Sequence, residues 1–207
     1  SGDELVIDIS TGEITFAANP DFETKFSYTA TVTVTDGTNP VTQEITVTVS
    51  DVNESPSFTS AASFTAPENQ LAIGTAAATD PDADATLAYS ISVDELVIDA
   101  STGAITFAAN PDFETTSSYT ATVTVTDGTN PVTQEITVTV SDVNESPSFT
   151  SAASFTAPEN QLTVETATAT DPDADATLAY SISGDELVID ASTGAITFAA
   201  NPDFETT

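Results

Sequence analysis

Apolar and polar residues alternate along much of the chain. In "SYTATVTVTD", at 118–127, Tyr119, Ala121, Val123 and Val125 fall on one side of a period of two. Thr120, Thr122 and Thr124 fall on the other. Successive side chains of a strand point to opposite faces, so this pattern predicts a strand with one buried and one wet face. "VTQEITVTVS", at 132–141, repeats it with Ile136, Val138 and Val140. Between the two, "DGTNP" supplies the Gly, Asn and Pro of a hairpin turn. "ELVID" and "AITF" predict a second pair joined across "ASTG", and "TLAYSIS", "LAIGTAAATD" and "SFTA" add three short strands. Threonine on the outward faces gives strand preference without adding apolar surface.

These segments return at a fixed interval. "DVNESPSFTSAASFTAPENQL" occupies 51–71 and 142–162, and "DELVIDASTGAITFAANPDFETT" occupies 94–116 and 185–207. "SYTATVTVTDGTNPVTQEITVTVSDVNESP" occupies 27–56 and 118–147, again 91 residues apart. One complete unit therefore spans 51–141, with the C-terminal half of a unit at 1–50 and the N-terminal part of a third at 142–207. A 91-residue period is too long for a solenoid turn and suits a bead-like domain with its own core. About seven strands per repeat predict an all-β fold of tandem Greek-key, immunoglobulin-like β-sandwiches. The chain opens on "SGDELVID" and stops at "NPDFETT", and both ends read as cut from something longer.

Charge sharpens the picture. The 207 residues hold 33 acids and one base, Lys25, for a formal net charge of −32. Phosphate backbones need Lys and Arg, so nucleic acid is excluded as a partner, and so are anionic membrane surfaces. Cations are the natural partners. Hydrophobic residues at 39% of the chain argue against the disorder that such acidity otherwise signals. Without His or Cys there is no catalytic triad, no disulfide, and no nitrogen or sulfur for zinc, copper or iron. The chain reads as a non-enzyme.

The acids are not spread evenly. "APEN" interrupts the first strand, "DFE" follows the fifth and "VTD" ends the sixth; "DVNES" links the units, and "DPDAD" opens the loop after the second. Alternate strand ends of a sandwich share a pole, so several carboxylates converge where one unit meets the next. Like charges about 4–5 Å apart repel by roughly 3–4 kcal/mol at an effective dielectric of ~20. Calcium, which takes six to eight oxygens, resolves that repulsion, whereas magnesium holds its water.

These motifs, in this order, resemble the cadherin repeat, and most of all the cadherin-like repeats of large bacterial surface proteins. "PEN" carries Glu68 and Glu159, and "DFE" stands for the family's DRE at Asp21/Glu23, Asp112/Glu114 and Asp203/Glu205. "DVNESPSF" stands for DxNDNxPxF, and "TDPDADATLAYSI" for the DxD loop and its strand. The resemblance implies Ca²⁺ between consecutive units, stiffening the linker. Carried over by position, it assigns Asp21, Glu23, Asn53, Glu54, Asp80, Asp82 and Asp127 to a first junction. It assigns Glu68, Asp112, Glu114, Asn144, Glu145, Asp171 and Asp173 to a second. Asp142 leads the linker motif and stands outside this set, and Asp84 and Asp175 are extra carboxylates without a role. Glu145 replaces the family's Asp and Ser146 its Asn, which puts one more methylene between linker and cation.

The function so implied is a calcium-binding structural and adhesion repeat, secreted or at the cell surface, within a larger membrane-anchored or secreted protein. Its partners would be calcium, neighbouring repeats, identical molecules or surface polysaccharide. The half units would let chains complement head to tail. The alternatives are a calcium-independent immunoglobulin-like spacer and a carbohydrate-binding module. The last fits poorly with a chain that has no Trp and four Tyr.

Overall fold

The structure is a computed structural model describing residues 4–203. Among these residues there is no helix, and none is long and apolar enough to cross a membrane. In chain order the first part holds β1 (Leu5–Ile7), β2 (Ile14–Phe16), β3 (Ser27–Thr35) and β4 (Pro40–Thr48). The complete repeat holds β5 (Ser57–Phe58), β6 (Ser63–Pro67), β7 (Ala72–Thr75), β8 (Ala78–Thr79), β9 (Ala88–Ile91), β10 (Leu96–Ile98), β11 (Ala104–Phe107), β12 (Ser118–Thr126) and β13 (Pro131–Ser141). The last part holds β14 (Ser148–Phe149), β15 (Thr163–Thr166), β16 (Ala169–Thr170), β17 (Leu187–Ile189) and β18 (Ala195–Phe198). The fold is all-β, built of immunoglobulin-like sandwiches in tandem.

The complete repeat forms a four-stranded sheet, β6-β13-β12-β9, and a three-stranded sheet, β10-β11-β7. Alternation decides which side chains lie between them. Val123, Val125, Ile136 and Val138 are fully buried, as are Leu96 and Ile105 from the facing sheet. Burial of each such side chain contributes about 1.5–3 kcal/mol.

The repeat has two more strands than its sequence predicts. "LAIGTAAATD" divides into β7, paired with β11, and β8, paired with β5. The break falls at Ala76, whose N–H donates to the Gly103 carbonyl at 2.9 Å, so the chain leaves one ladder and joins another. Turns form where the sequence places them. Gly128 (φ 98°) sits in the β12–β13 hairpin and Gly103 (φ 70°) in the β10–β11 hairpin. At the latter, Asp99 Oδ1 accepts the N–H groups of Ser101 and Thr102 at 3.0 and 2.8 Å.

Packing divides the chain into two compact units. One comprises Ser1–Phe64, Ala72–Ala108 and Thr120–Thr137; the other comprises Thr65–Leu71, Ala109–Tyr119 and Val138–Thr207. The division cuts through the complete repeat rather than at the "DVNES" linkers, so each linker lies inside one unit with the loops on either side of it.

Candidate metal centres

Both acidic groups are built from strand ends. In the first unit, "DVNE" (51–54) follows β4 and meets the loop after β2, the "DPDAD" loop after β8 and the β12–β13 turn. One carboxylate oxygen from each of Glu23, Asp51, Glu54 and Asp82 lies within 4.8 Å of all the others. Backbone and amide groups hold the frame. The Glu54 N–H donates to Asp82 Oδ2 at 3.0 Å, and the Asp82 N–H donates to Asp80 Oδ1 at 3.0 Å. Asn53 Nδ2 donates to the Glu54 carbonyl and to Asp127 Oδ2, both at 2.7 Å.

The other unit repeats the design with an added carboxylate. Asn69 turns the chain after β6 in the left-handed region (φ 62°), and Glu68 beside it is only 3% exposed. Glu68 Oε2 accepts the Phe113 N–H at 2.8 Å and Oε1 the Val143 N–H at 2.7 Å. One residue thus ties the loop after β11 to the linker after β13. Glu68, Asp112 and Glu114 bring one oxygen each within 4.8 Å of one another, and so do Glu114, Asp142 and Asp173. Glu114 belongs to both groups. Asn69 Nδ2 donates to Glu145 Oε1 at 2.6 Å, the Glu145 N–H donates to Asp173 Oδ2 at 3.0 Å, and Asn144 Nδ2 donates to the Glu145 carbonyl at 2.6 Å. Asp171 Oδ1 accepts the Asp173 N–H at 3.1 Å.

Electrostatics follow from this crowding. Loss of solvent, then the charges of Glu23, Asp82, Asp51 and Asp21, raise the pKa of Glu54. Loss of solvent, then Asp173 and Glu68, raise that of Asp142. Glu114 is lowered by its own backbone N–H, but lost solvent and the charges of Glu68, Glu145 and Asp142 outweigh this and raise it. Glu145 is lowered by the Asn69 amide and raised more by lost solvent, Glu68, Asp173 and Asp142. Asp127 moves the other way, lowered by the Asn130 N–H and then the Asn53 amide. Asp21 is lowered by the Thr24 N–H and hydroxyl, which take both of its oxygens at 3.1 and 3.0 Å.

Of the residues assigned from sequence, Glu23, Glu54 and Asp82 gather in the first unit, and Glu68, Asp112, Glu114 and Asp173 in the second. Asp80, Asn53, Asp127, Asp171, Asn144 and Glu145 adjoin them through the hydrogen bonds above. Asp51 and Asp142 belong to the clusters but were outside the assigned set. The available signal was positional: each is the first residue of "DVNES", where the chain has just left a strand end. Glu205 lies outside the described residues.

These oxygens suit a hard divalent cation. Asp82 Oδ1, Asp80 Oδ2 and Glu145 Oε2 are buried with no hydrogen-bond partner. A buried, unpaired carboxylate oxygen is costly unless a cation compensates it. The donors are all oxygens, some in carboxylates and some in amides, as calcium takes them.

Residues 62–141 match the family model of the Cadherin domain. The structure superposes on mouse Cadherin-23 EC22-24 with a TM-score of 0.60 at 23% identity, covering 97% of this chain and 73% of that one. The chain holds a cadherin-like repeat. Protocadherin Gamma B2 extracellular cadherin domains 3-6 give a TM-score of 0.64 at 19% identity, over 99% of this chain and 58% of that one. At these identities the likeness is one of fold. In sequence, the chain is 33% identical over 217 residues to human Protocadherin Fat 4, covering 93% of this chain and 4% of that protein. It is 34% identical over 222 residues to mouse Protocadherin-20, covering 92% of this chain and 23% of that protein. The two relatives matched in sequence are animal cadherins, and the chain spans only 4% and 23% of their lengths. A bacterial surface origin and a polysaccharide partner find no support among them.

Proposed function

We propose that the two acidic groups bind Ca²⁺, and that the ions stiffen the links between successive cadherin-like repeats in an extracellular adhesion protein. Cadherin domains characteristically bind calcium. The observation that carries the reading here is the set of buried, partnerless carboxylate oxygens on Asp82, Asp80 and Glu145 beside the clustered oxygens of the two groups. Glu23, Asp51, Glu54 and Asp82 would hold one ion, with the Asn53 carbonyl oxygen and Asp80 beside them. Glu68, Asp112, Glu114, Asp142 and Asp173 would hold the others, with Glu114 bridging.

What the ion supplies is charge neutralisation. Without it, the carboxylates of linker and loops repel, and the linker moves away from the loops. With it, loop and linker share one centre. Affinities of about 10⁻⁴–10⁻³ M, usual for extracellular modules, would saturate the sites outside cells and leave them empty in the cytosol. The protein acts by shape and stiffness, without catalysis. Its partners would be neighbouring repeats and identical molecules at the cell surface, within a longer membrane-anchored or secreted chain.

Thermal unfolding tests this. The melting temperature should rise with millimolar CaCl₂ and should not rise with NaCl of equal ionic strength. Equal shifts from both salts would leave general screening as the whole effect and dispose of the calcium reading.

A further inference from the structure

Each linker carries a second motif, which cation binding leaves unused. Asn53-Glu54-Ser55 and Asn144-Glu145-Ser146 both read N-x-S with a residue other than proline in the middle. That is the acceptor sequence for N-linked glycans in secreted proteins. No other asparagine of the chain has Ser or Thr two residues on. The motif arises where the linker departs from the cadherin pattern, since Ser55 and Ser146 stand where the family has Asn.

The linkers present it openly. Residues 51–56 and 142–147 are irregular backbone outside any strand. Asn53 and Ser55 are exposed, and so are Asn144 and Ser146. An exposed, irregular segment is where such a bulky, solvated group is carried.

The nitrogen that would take the sugar is already committed in the closed linker. Asn53 Nδ2 has two protons. One goes to the Glu54 carbonyl and the other to Asp127 Oδ2, each at 2.7 Å. The second bond ties the linker to the β12–β13 turn of the complete repeat. The other linker has the same local geometry. Asn144 Nδ2 donates to the Glu145 carbonyl at 2.6 Å, and the Glu145 N–H meets Asp173 as the Glu54 N–H meets Asp82.

We propose that Asn53 and Asn144 are N-glycosylation acceptors, and that a glycan on Asn53 and the closed linker exclude each other. The donor is a lipid-pyrophosphate-linked oligosaccharide, and an oligosaccharyltransferase supplies the catalysis. Nδ2 bonds to the anomeric carbon of the first sugar, and the bond from that carbon to the pyrophosphate oxygen breaks. The lipid pyrophosphate leaves with the electron pair, and one amide proton passes to a base on the transferase. The product nitrogen keeps a single proton, so it cannot serve both the Glu54 carbonyl and Asp127. The sugar takes the place of one of those acceptors, and linker and turn part. A linker is therefore modified before it closes or not at all. The acceptor assignment is independent of calcium; only the effect of the glycan on calcium binding rests on the function proposed above.

The test is glycopeptide mass spectrometry on the 207-residue chain, secreted from a glycosylating host beside a control glycoprotein. Glycan should be found on Asn53 and on Asn144. Ser55→Ala, at an exposed position, should remove it from Asn53 and leave Asn144 modified. Asp127→Ala frees one amide proton, and should raise occupancy at Asn53 without changing Asn144. In a Ser146→Ala background only Asn53 can be modified. There the glycosylated chain should need about tenfold more calcium than the Ser55→Ala, Ser146→Ala chain for the same rise in melting temperature, because one hydrogen bond to a carboxylate is lost. Absence of glycan at both asparagines while the control is modified overturns the acceptor assignment. An equal rise in both forms overturns the exclusion. Should neither form respond to calcium, the function proposed above fails, while the occupancies at Asn53 in wild type and Asp127→Ala still decide this proposal.

Discussion

Glu68 Oε1 accepts the backbone N–H of Val143 at 2.7 Å, across 75 residues of sequence. Its other oxygen accepts the Phe113 N–H. Glu68 is therefore a clamp between loop and linker as well as a candidate ligand. Glu68→Ala leaves two backbone donors without an acceptor, at a cost of about 1–3 kcal/mol each. Removing one charge beside Glu114 and Glu145 offsets part of this. Glu68→Gln keeps one acceptor and should lose about half as much. Urea unfolding in a chelator should rank them wild type, Gln, Ala; an Ala variant as stable as wild type would mean that the clamp does not matter.

Glu114 separates stability from binding. It sits in both oxygen groups of its unit, and its neighbours raise its pKa. Glu114→Gln removes a repelled charge, so the calcium-free protein should melt higher than wild type. Calcium affinity should fall by about tenfold or more, because the charge count of the site decides affinity. Melting curves with and without calcium give both signs. If Glu114→Gln retained full calcium affinity, the bridging role would be wrong.

The pH profile should invert with calcium. Glu54, Glu114, Asp142 and Glu145 have raised pKa values. Such groups give stability that is fully present below their unfolded values, 4.5 for Glu and 3.8 for Asp, and lost as pH rises through their folded ones. Without calcium, acidifying from neutral pH toward those unfolded values should raise the melting temperature. Asp8 and Asp190 are lowered to about 2, chiefly by the hydroxyls of Ser10 and Ser192. They contribute stability above 3.8 that is lost as pH falls toward 2, so the profile turns over in that window. With calcium bound, protons compete with the ion and mild acid should lower the melting temperature. Parallel profiles in calcium and in chelator would contradict this.

Two glycines distinguish backbone strain from collision. Gly103 and Gly128 both have positive φ. A Cβ on Gly103 would stand 2.3 Å from the Ala76 carbonyl oxygen, whereas one on Gly128 would meet nothing within 4 Å. Gly128→Ala should cost about 1 kcal/mol, the price of conformation alone. Gly103→Ala should cost clearly more and open the corner between β7 and β8. Denaturant midpoints compare the two directly.

Strands and turns were legible because alternation and Gly, Asp and Asn mark them locally. The split at Ala76 was not, since the one glycine of "LAIGTAAATD", Gly74, lies within β7 and the break comes from the distant Gly103 carbonyl. The candidate sites were legible as motifs, but their membership was not. Asp51 and Asp142 join through the path of the linker as it leaves a strand, while both Asp21 oxygens are taken by Thr24. Which oxygen faces a neighbour depends on side-chain hydrogen bonds that spacing does not encode.

The most direct measurement is a calorimetric titration of the chain with CaCl₂ at fixed ionic strength, beside the same titration with MgCl₂ and with a variant carrying Asp51→Asn and Asp142→Asn. The account predicts saturable binding near 10⁻⁴–10⁻³ M, to order of magnitude, weaker in the variant and much weaker for magnesium. No heat at millimolar calcium, or the same isotherm for both metals and both proteins, would contradict it.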